Sequence, residues 1–180
     1  KDLVYCEQEP YKLCTFSRVM REKGIEDAIE AVKAVNNHLR RTAYVLDIYG
    51  PIDSGQIEWF QTLQNSFPEY IRYKGSVPSE KAISIIKEYF ALLFPTRFYT
   101  EGIPGTIIDA YAAGVPVIAS KWENFDDVID DGKSGIGYSF GDRSALKNVL
   151  LKLLSEPQVL NDMKINCINI AHEYTPQNVI

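Results

Sequence analysis

Short runs of apolar and β-branched residues alternate with longer stretches of helical spacing along the chain, and this alternation restricts the folds open to it. Tyr11 to Val19, Thr42 to Tyr49, Tyr70 to Lys74, Ala91 to Phe94, Val115 to Ala119 and Ile136 to Phe140 read as strands. Ala91 to Phe94 is wholly apolar, as expected of a strand covered on both faces. In the stretch Lys23 to Leu39, the residues Ile25, Ala28, Ile29, Val32, Val35 and Leu39 recur on one helix face. Further helices are expected over Ser54 to Phe67, Ser79 to Glu88, Pro104 to Ala113, Phe125 to Asp130, Asp142 to Leu154 and Gln158 to Glu173. Ser79, following Pro78, suits a helix N-cap. In the last helix Val159, Leu160, Met163, Cys167, Ile170 and Ala171 form the packing face. Strand then helix, repeated about six times, predicts an α/β fold. Right-handed crossovers then give a doubly wound parallel sheet of about six strands, Rossmann-like, with helices on both faces.

The chain of 180 residues suits a single domain with a sizeable core. Its net charge of -5 argues against a general nucleic-acid binder, which would be basic. An anionic ligand remains open to it, where a few cations and a helix N-terminus converge. Cys6, Cys14 and Cys167 are scattered, and only His38 and His172 could join them, so neither a disulfide framework nor a metal cluster is expected. Such thiols fit a reducing compartment. No apolar run approaches the roughly 20 residues that cross a bilayer, and no signal-peptide pattern is present. Lys1 and Ile180 both read as cut ends, which suggests one domain taken from a longer protein.

In such sheets ligands bind beyond the carboxyl ends of the strands, at the switch in strand order. Three loops there carry unusual residues. The first, Ser17 to Gly24, offers Arg18 and Lys23 to a phosphate: a planar fork and a point charge. A solvated basic loop would look the same. The second runs from Pro95 through Glu101, Gly102, Ile103, Pro104 and Gly105 into a helix carrying Thr106, Ile107 and Asp109. Gly102 and Gly105 let backbone come close to a ligand. The free amides from Gly105 to Ile107 would face an anion, helped by the helix dipole. Glu101 and Asp109, with seven residues between them, suit sugar hydroxyls. The alternative is that Glu101 neutralises Arg97 and that Asp109 is a helix-surface charge. The third loop, Lys121 to Gly132, brings Glu123, Asn124 and Asp127, either to close over a ligand or as solvated charges. Gly-x-Gly-x-x-Gly is absent, which lowers the case for a nicotinamide dinucleotide.

Together these runs resemble the C-terminal domain of the retaining GT-B glycosyltransferases called glycosyl transferases group 1 (family 4). The family's Gly-Arg-Leu, three residues, Lys-Gly is similar to Ser17-Arg18-Val19, Met20 to Glu22, Lys23-Gly24. Its Glu, seven residues, Glu motif is similar to Glu101-Gly-Ile-Pro…Asp109-Ala, followed by Ala113-Gly-Val-Pro-Val-Ile-Ala119. Gly50-Pro51 and Gly75-Ser76-Val77 fall where the family places loops near the nucleotide. The resemblance implies that residues 1–180 are one nucleotide-sugar-binding domain, with an N-terminal acceptor domain outside the chain. It implies that Arg18, Lys23 and Glu101 are catalytic. The first two would stabilise the departing diphosphate, and Glu101 would touch the transferred sugar. Gly75 and Val77 would lie near the base. Gly102, Ile103, Gly105, Thr106 and Ile107 would line the donor site, and Asp109 would hold ribose hydroxyls.

The resemblance also implies a metal-independent site with no cofactor and a nucleotide-diphosphate sugar as donor. A hexose would pass, with retention, to a carbohydrate or lipid-linked acceptor, and the isolated domain would be inactive. An enzyme of polysaccharide biosynthesis, cytoplasmic or, as the full-length protein, membrane-peripheral, is the family-level expectation. Three departures stand out: Ser17 for glycine, Asp109 for glutamate, and Glu123-Asn124-Phe125-Asp126-Asp127 for the usual Gly-Gly-x-x-Glu. They motivate the alternative of a non-catalytic nucleotide-sugar-binding or interaction module. An epimerase of the same fold ranks lower, since His38 and His172 both fall in expected helices.

Overall fold

The computed structural model describes residues 3–174; the cut ends read at Lys1 and Ile180 lie outside them. Six parallel strands form one sheet: β1 Tyr11–Phe16, β2 Tyr44–Tyr49, β3 Ile71–Gly75, β4 Ala91–Phe94, β5 Val117–Ser120 and β6 Gly135–Tyr138. The helices are α1 Ile25–Leu39, α2 Ile57–Gln64, α3 Ala82–Ile86, α4 Gly105–Ala112, α5 Phe125–Val128, α6 Arg143–Ser155 and α7 Gln158–Ala171. Short 3-10 turns precede α1 at Arg21–Lys23 and α3 at Ser79–Lys81. The strand order is β3-β2-β1-β4-β5-β6. The chain works outward in one direction, then crosses back and works outward in the other, so β1 and β4 meet at the switch.

Alternating side chains divide the core into two layers. Leu13, Leu46, Ile48, Leu93 and Ile118 face α1 and α6, beside Ile29, Val32, Val35, Leu146 and Leu150. Cys14, Leu92, Phe94, Val117 and Ala119 face α4 and α7, beside Ile107, Ala110, Tyr111 and Cys167. All four residues of β4 and of β5 are buried, as covered parallel strands require.

Buried polar groups pin the layers to one another. Asn36, near the end of α1, accepts from the amides of Ala43 and Tyr44 and donates to the Tyr44 carbonyl. Asp47, on β2, takes a bidentate pair from Arg72 on β3 and a hydroxyl bond of 2.5 Å from Tyr89. That pairing answers the charge of a carboxylate that is 1 % exposed. The fully buried Lys164 donates to the Tyr89 carbonyl at 3.3 Å.

The expected boundaries shift in places. β1 stops at Phe16, and Val19 instead bridges Ile52 beyond β2. Ser79 caps nothing; Pro78 precedes the 3-10 turn and no side-chain cap bond forms. Asp142 does cap α6, accepting from the Ser144 amide. Val159 faces solvent, whereas Leu160, Met163 and Cys167 are buried.

Candidate functional site

The two loops at the switch are brought together by close backbone packing. Gly24 begins α1 with φ of +72°, and a Cβ on it would sit 1.8 Å from the Pro95 carbonyl oxygen at the end of β4. Gly50, with φ of +130°, would clash in the same way with the Ser17 carbonyl oxygen. Both positions need the left-handed freedom of glycine and the room it leaves. The Arg97 amide then donates to the Glu22 carbonyl at 2.9 Å, tying the β4–α4 loop to the β1–α1 loop.

Across this junction Lys23 meets Glu101. The ammonium lies 2.9 and 3.0 Å from the two carboxylate oxygens. It also lies 5.9 Å from the centre of the Phe94 ring and 5.7 Å from that of Phe98, close enough for weak cation–π attraction. Thr96 donates its hydroxyl to Glu101 Oε2 at 2.8 Å. Asn124, from the loop after β5, donates to the Glu101 carbonyl at 3.3 Å, and the Glu123 amide donates to the Tyr99 carbonyl. The alternative partner for Glu101 is excluded. Arg97 forks onto Asp27 at 2.9 and 2.7 Å instead, with Arg143 at 3.8 Å from the same carboxylate.

Arg18 is exposed; its carbonyl accepts the Ser17 hydroxyl at 3.1 Å, and its guanidinium has no hydrogen bond or ion pair among the described residues. Of the two cations that the sequence offers to a phosphate, Lys23 is therefore paired with a carboxylate and the Arg18 guanidinium is not. Ser17, in the place of glycine, carries no left-handed backbone. Its amide donates to the Tyr49 carbonyl at 3.3 Å, so a side chain is accommodated without strain.

Beyond Glu101, the amides of Gly102, Ile103, Gly105 and Thr106 find no acceptor among the described residues. The last two belong to the first turn of α4, where no intrahelical partner exists. The Ile107 amide is already bonded to the Pro104 carbonyl at 3.1 Å, which removes it from the expected set. Nothing lies within 4 Å of a Cβ placed on Gly102 or Gly105, so open space borders both. Asp109 lies one turn inside α4, half-buried, and its carboxylate has no ion pair or hydrogen bond among the described residues. Burial raises its carboxyl above the ordinary aspartate value, so it is not a plain surface charge.

Gly75 closes β3 with φ of +82°, and its carbonyl accepts the Gly50 amide. Val77 packs against the α4-side core. Beside them the Phe16 and Tyr49 rings stack at 4.4 Å at the ends of β1 and β2. The sequence reading missed Thr96 and this stack. The only available signal was position, since each stands at or just past the end of a strand. Among the described residues no group of His, Cys, Asp or Glu converges as metal ligands.

A six-stranded sheet in this order, with cation, acid and free amides gathered at its switch, defines a Rossmann-like domain of the kind found in GT-B glycosyltransferases. The chain belongs to the family glycosyl transferases group 1, whose profile matches residues 10–156. It is 26% identical over 164 residues to an uncharacterised glycosyltransferase of Methanocaldococcus jannaschii, covering 90% of this chain and 41% of that protein. It is 26% identical to the amylovoran biosynthesis glycosyltransferase AmsK of Erwinia amylovora, covering 81% of this chain and 36% of the relative. The fold superposes on Anabaena HepE in complex with UDP-glucose with a TM-score of 0.80 at 16% identity, over 92% of this chain and 44% of that one. The chain therefore spans about two-fifths of the length of these relatives.

Proposed function

We propose that this domain binds the nucleotide-diphosphate sugar of a retaining glycosyltransferase, and that a second domain must close on it before a hexose is transferred to a carbohydrate or lipid-linked acceptor. One observation carries the reading. A lysine and a glutamate from loops far apart in sequence meet at the β1–β4 switch, beside a helix N-terminus whose first amides are free. Free amides and the helix dipole suit a phosphate. Arg18 and Lys23 add positive charge where a departing diphosphate gains negative charge, so they stabilise the transition state more than the ground state. No metal is needed for that role. Asp109, whose carboxylate has no partner among the described residues, suits ribose hydroxyls, which would replace the water lost on burial. Gly75 and Val77, beside the Phe16–Tyr49 stack, suit the base. Glu101 suits a hydroxyl of the sugar. The relative that builds amylovoran and the neighbour holding UDP-glucose agree with this class of donor and product.

The test is calorimetric titration of the chain with UDP, GDP and ADP, alongside the double variant Arg18→Ala, Lys23→Ala. One nucleotide should saturate the domain, with the affinity falling at least about tenfold in the variant, two charge-assisted contacts being lost. Equal binding by both proteins would sink the assignment.

A further inference from the structure

Glu101 has two partners of opposite character. Lys23 offers both its oxygens a mobile ammonium on a four-carbon stem. Thr96 offers Oε2 a hydroxyl that cannot leave. The Thr96 side of the contact is fixed from three directions. The residue is 2 % exposed, its hydroxyl accepts the Phe98 amide at 3.1 Å, and its carbonyl accepts the Ser120 hydroxyl at 2.7 Å. A diphosphate arriving beside α4 would thus meet a lysine that is already neutralised, by a carboxylate that is held in place.

We infer that Glu101, held by Thr96, competes with the nucleoside diphosphate for Lys23, and so makes the site favour the sugar-loaded donor over the spent nucleotide. The inference rests on the donor-site reading above. When a nucleoside diphosphate without sugar binds, its phosphates draw Lys23 away. Glu101 is then left with only the Thr96 hydroxyl, and part of the binding energy is spent on breaking the pair. When the sugar is present, one of its hydroxyls can donate to the freed carboxylate oxygen, and that loss is offset. After transfer the sugar is gone and Glu101 reclaims Lys23, which speeds release of the product. Thr96 is a positioning residue in this scheme: it touches neither phosphate nor sugar and acts through Glu101. The side chains of Lys23 and Glu101 are 19% and 14% exposed, so water screens their pair less than a surface pair.

The measurement is the affinity of the chain for UDP, GDP and ADP, none carrying a sugar, by calorimetry. Glu101→Gln keeps the shape and removes the competing charge, and should tighten the bound nucleotide about three- to tenfold. Thr96→Val frees the carboxylate from its anchor and should tighten it in the same direction by less, while Thr96→Ser should match the parent. Glu123→Gln removes the same charge from the neighbouring loop without touching Lys23, and should leave the affinity unchanged. If Glu101→Gln fails to tighten binding, or if Glu123→Gln tightens it equally through bulk charge, the inference is overturned. If the parent chain binds none of the three nucleotides, the donor-site reading falls first and takes this inference with it. Thermal melts separate loss of fold in Thr96→Val from loss of its anchor, and the near-isosteric Glu101→Gln carries the test if Thr96→Val does not fold.

Discussion

At the scale of single residues, the site trades stability for a receptive surface. Asp109 is half-buried on α4, its carboxyl without a hydrogen-bond partner among the described residues, and desolvation raises that carboxyl above the ordinary value near 3.8. A carboxyl whose folded pKa lies above its unfolded one favours the fold most when protonated. Stability from this group is full below pH 3.8 and is lost as pH rises through the folded value. At neutral pH the charged form is a net cost. Asp109→Asn should therefore raise the melting temperature at pH 7 and show no gain below the aspartate range, where both side chains are neutral. The same change should weaken nucleotide binding if the carboxylate receives ribose hydroxyls. Melts at pH 3 and pH 7 with one titration check it, and a variant no more stable at pH 7 than the parent would contradict the argument. The motif spacing made Asp109 and Glu101 legible as a pair of acids. It could not assign partners: Arg97, four positions from Glu101, was the local choice, yet Arg97 reaches Asp27 on α1 and Glu101 takes Lys23. Ion pairs in a doubly wound sheet are chosen across strands, and sequence distance says little about them.

At the scale of elements, strand and helix identities followed from periodicity because the inner strands β4 and β5 are buried on both faces and each long helix on one. Their ends did not, because an end is set by a neighbour. β1 stops at Phe16 since β2, with which it pairs residue for residue, stops at Tyr49. The start of α1 is set by β4, through the contact of Gly24 with the Pro95 carbonyl. Gly24→Ala tests that dependence. The alanine must hold φ near +72° and place a methyl group 1.8 Å from a carbonyl oxygen, so the loop has to shift. The expected cost is roughly 2 kcal/mol or more. Lys23, one residue away, should be carried off the place where it would meet a phosphate, so nucleotide affinity should fall as well. Urea unfolding measures the first effect and calorimetry the second. A change under about 0.5 kcal/mol, the range of an ordinary surface substitution, would show that α1 is not anchored there.

At the scale of the whole molecule, the sheet is two three-stranded halves joined by a narrow seam. β1 and β4 register over only two residue pairs, Leu13 with Ala91 and Cys14 with Leu92. Above the seam the halves are stitched by Lys23–Glu101, by Arg97–Asp27 and by the Arg97 amide to the Glu22 carbonyl. A ligand that occupies the crevice touches both halves, whereas the unfolded chain offers it no such site. Binding must then raise stability by mass action, about 2.7 kcal/mol at a free concentration one hundred times the dissociation constant. For a chain of this size that corresponds to a melting temperature higher by about 5–10 °C. The matching nucleotide should produce the shift and the other two should not, at equal concentration. Amide exchange should slow on both sides of the seam, in β1 and the start of α1 as well as in the 96–107 loop. Slowing confined to one side would mean that the nucleotide is held by half of the sheet, and that the switch between β1 and β4 is not where it binds.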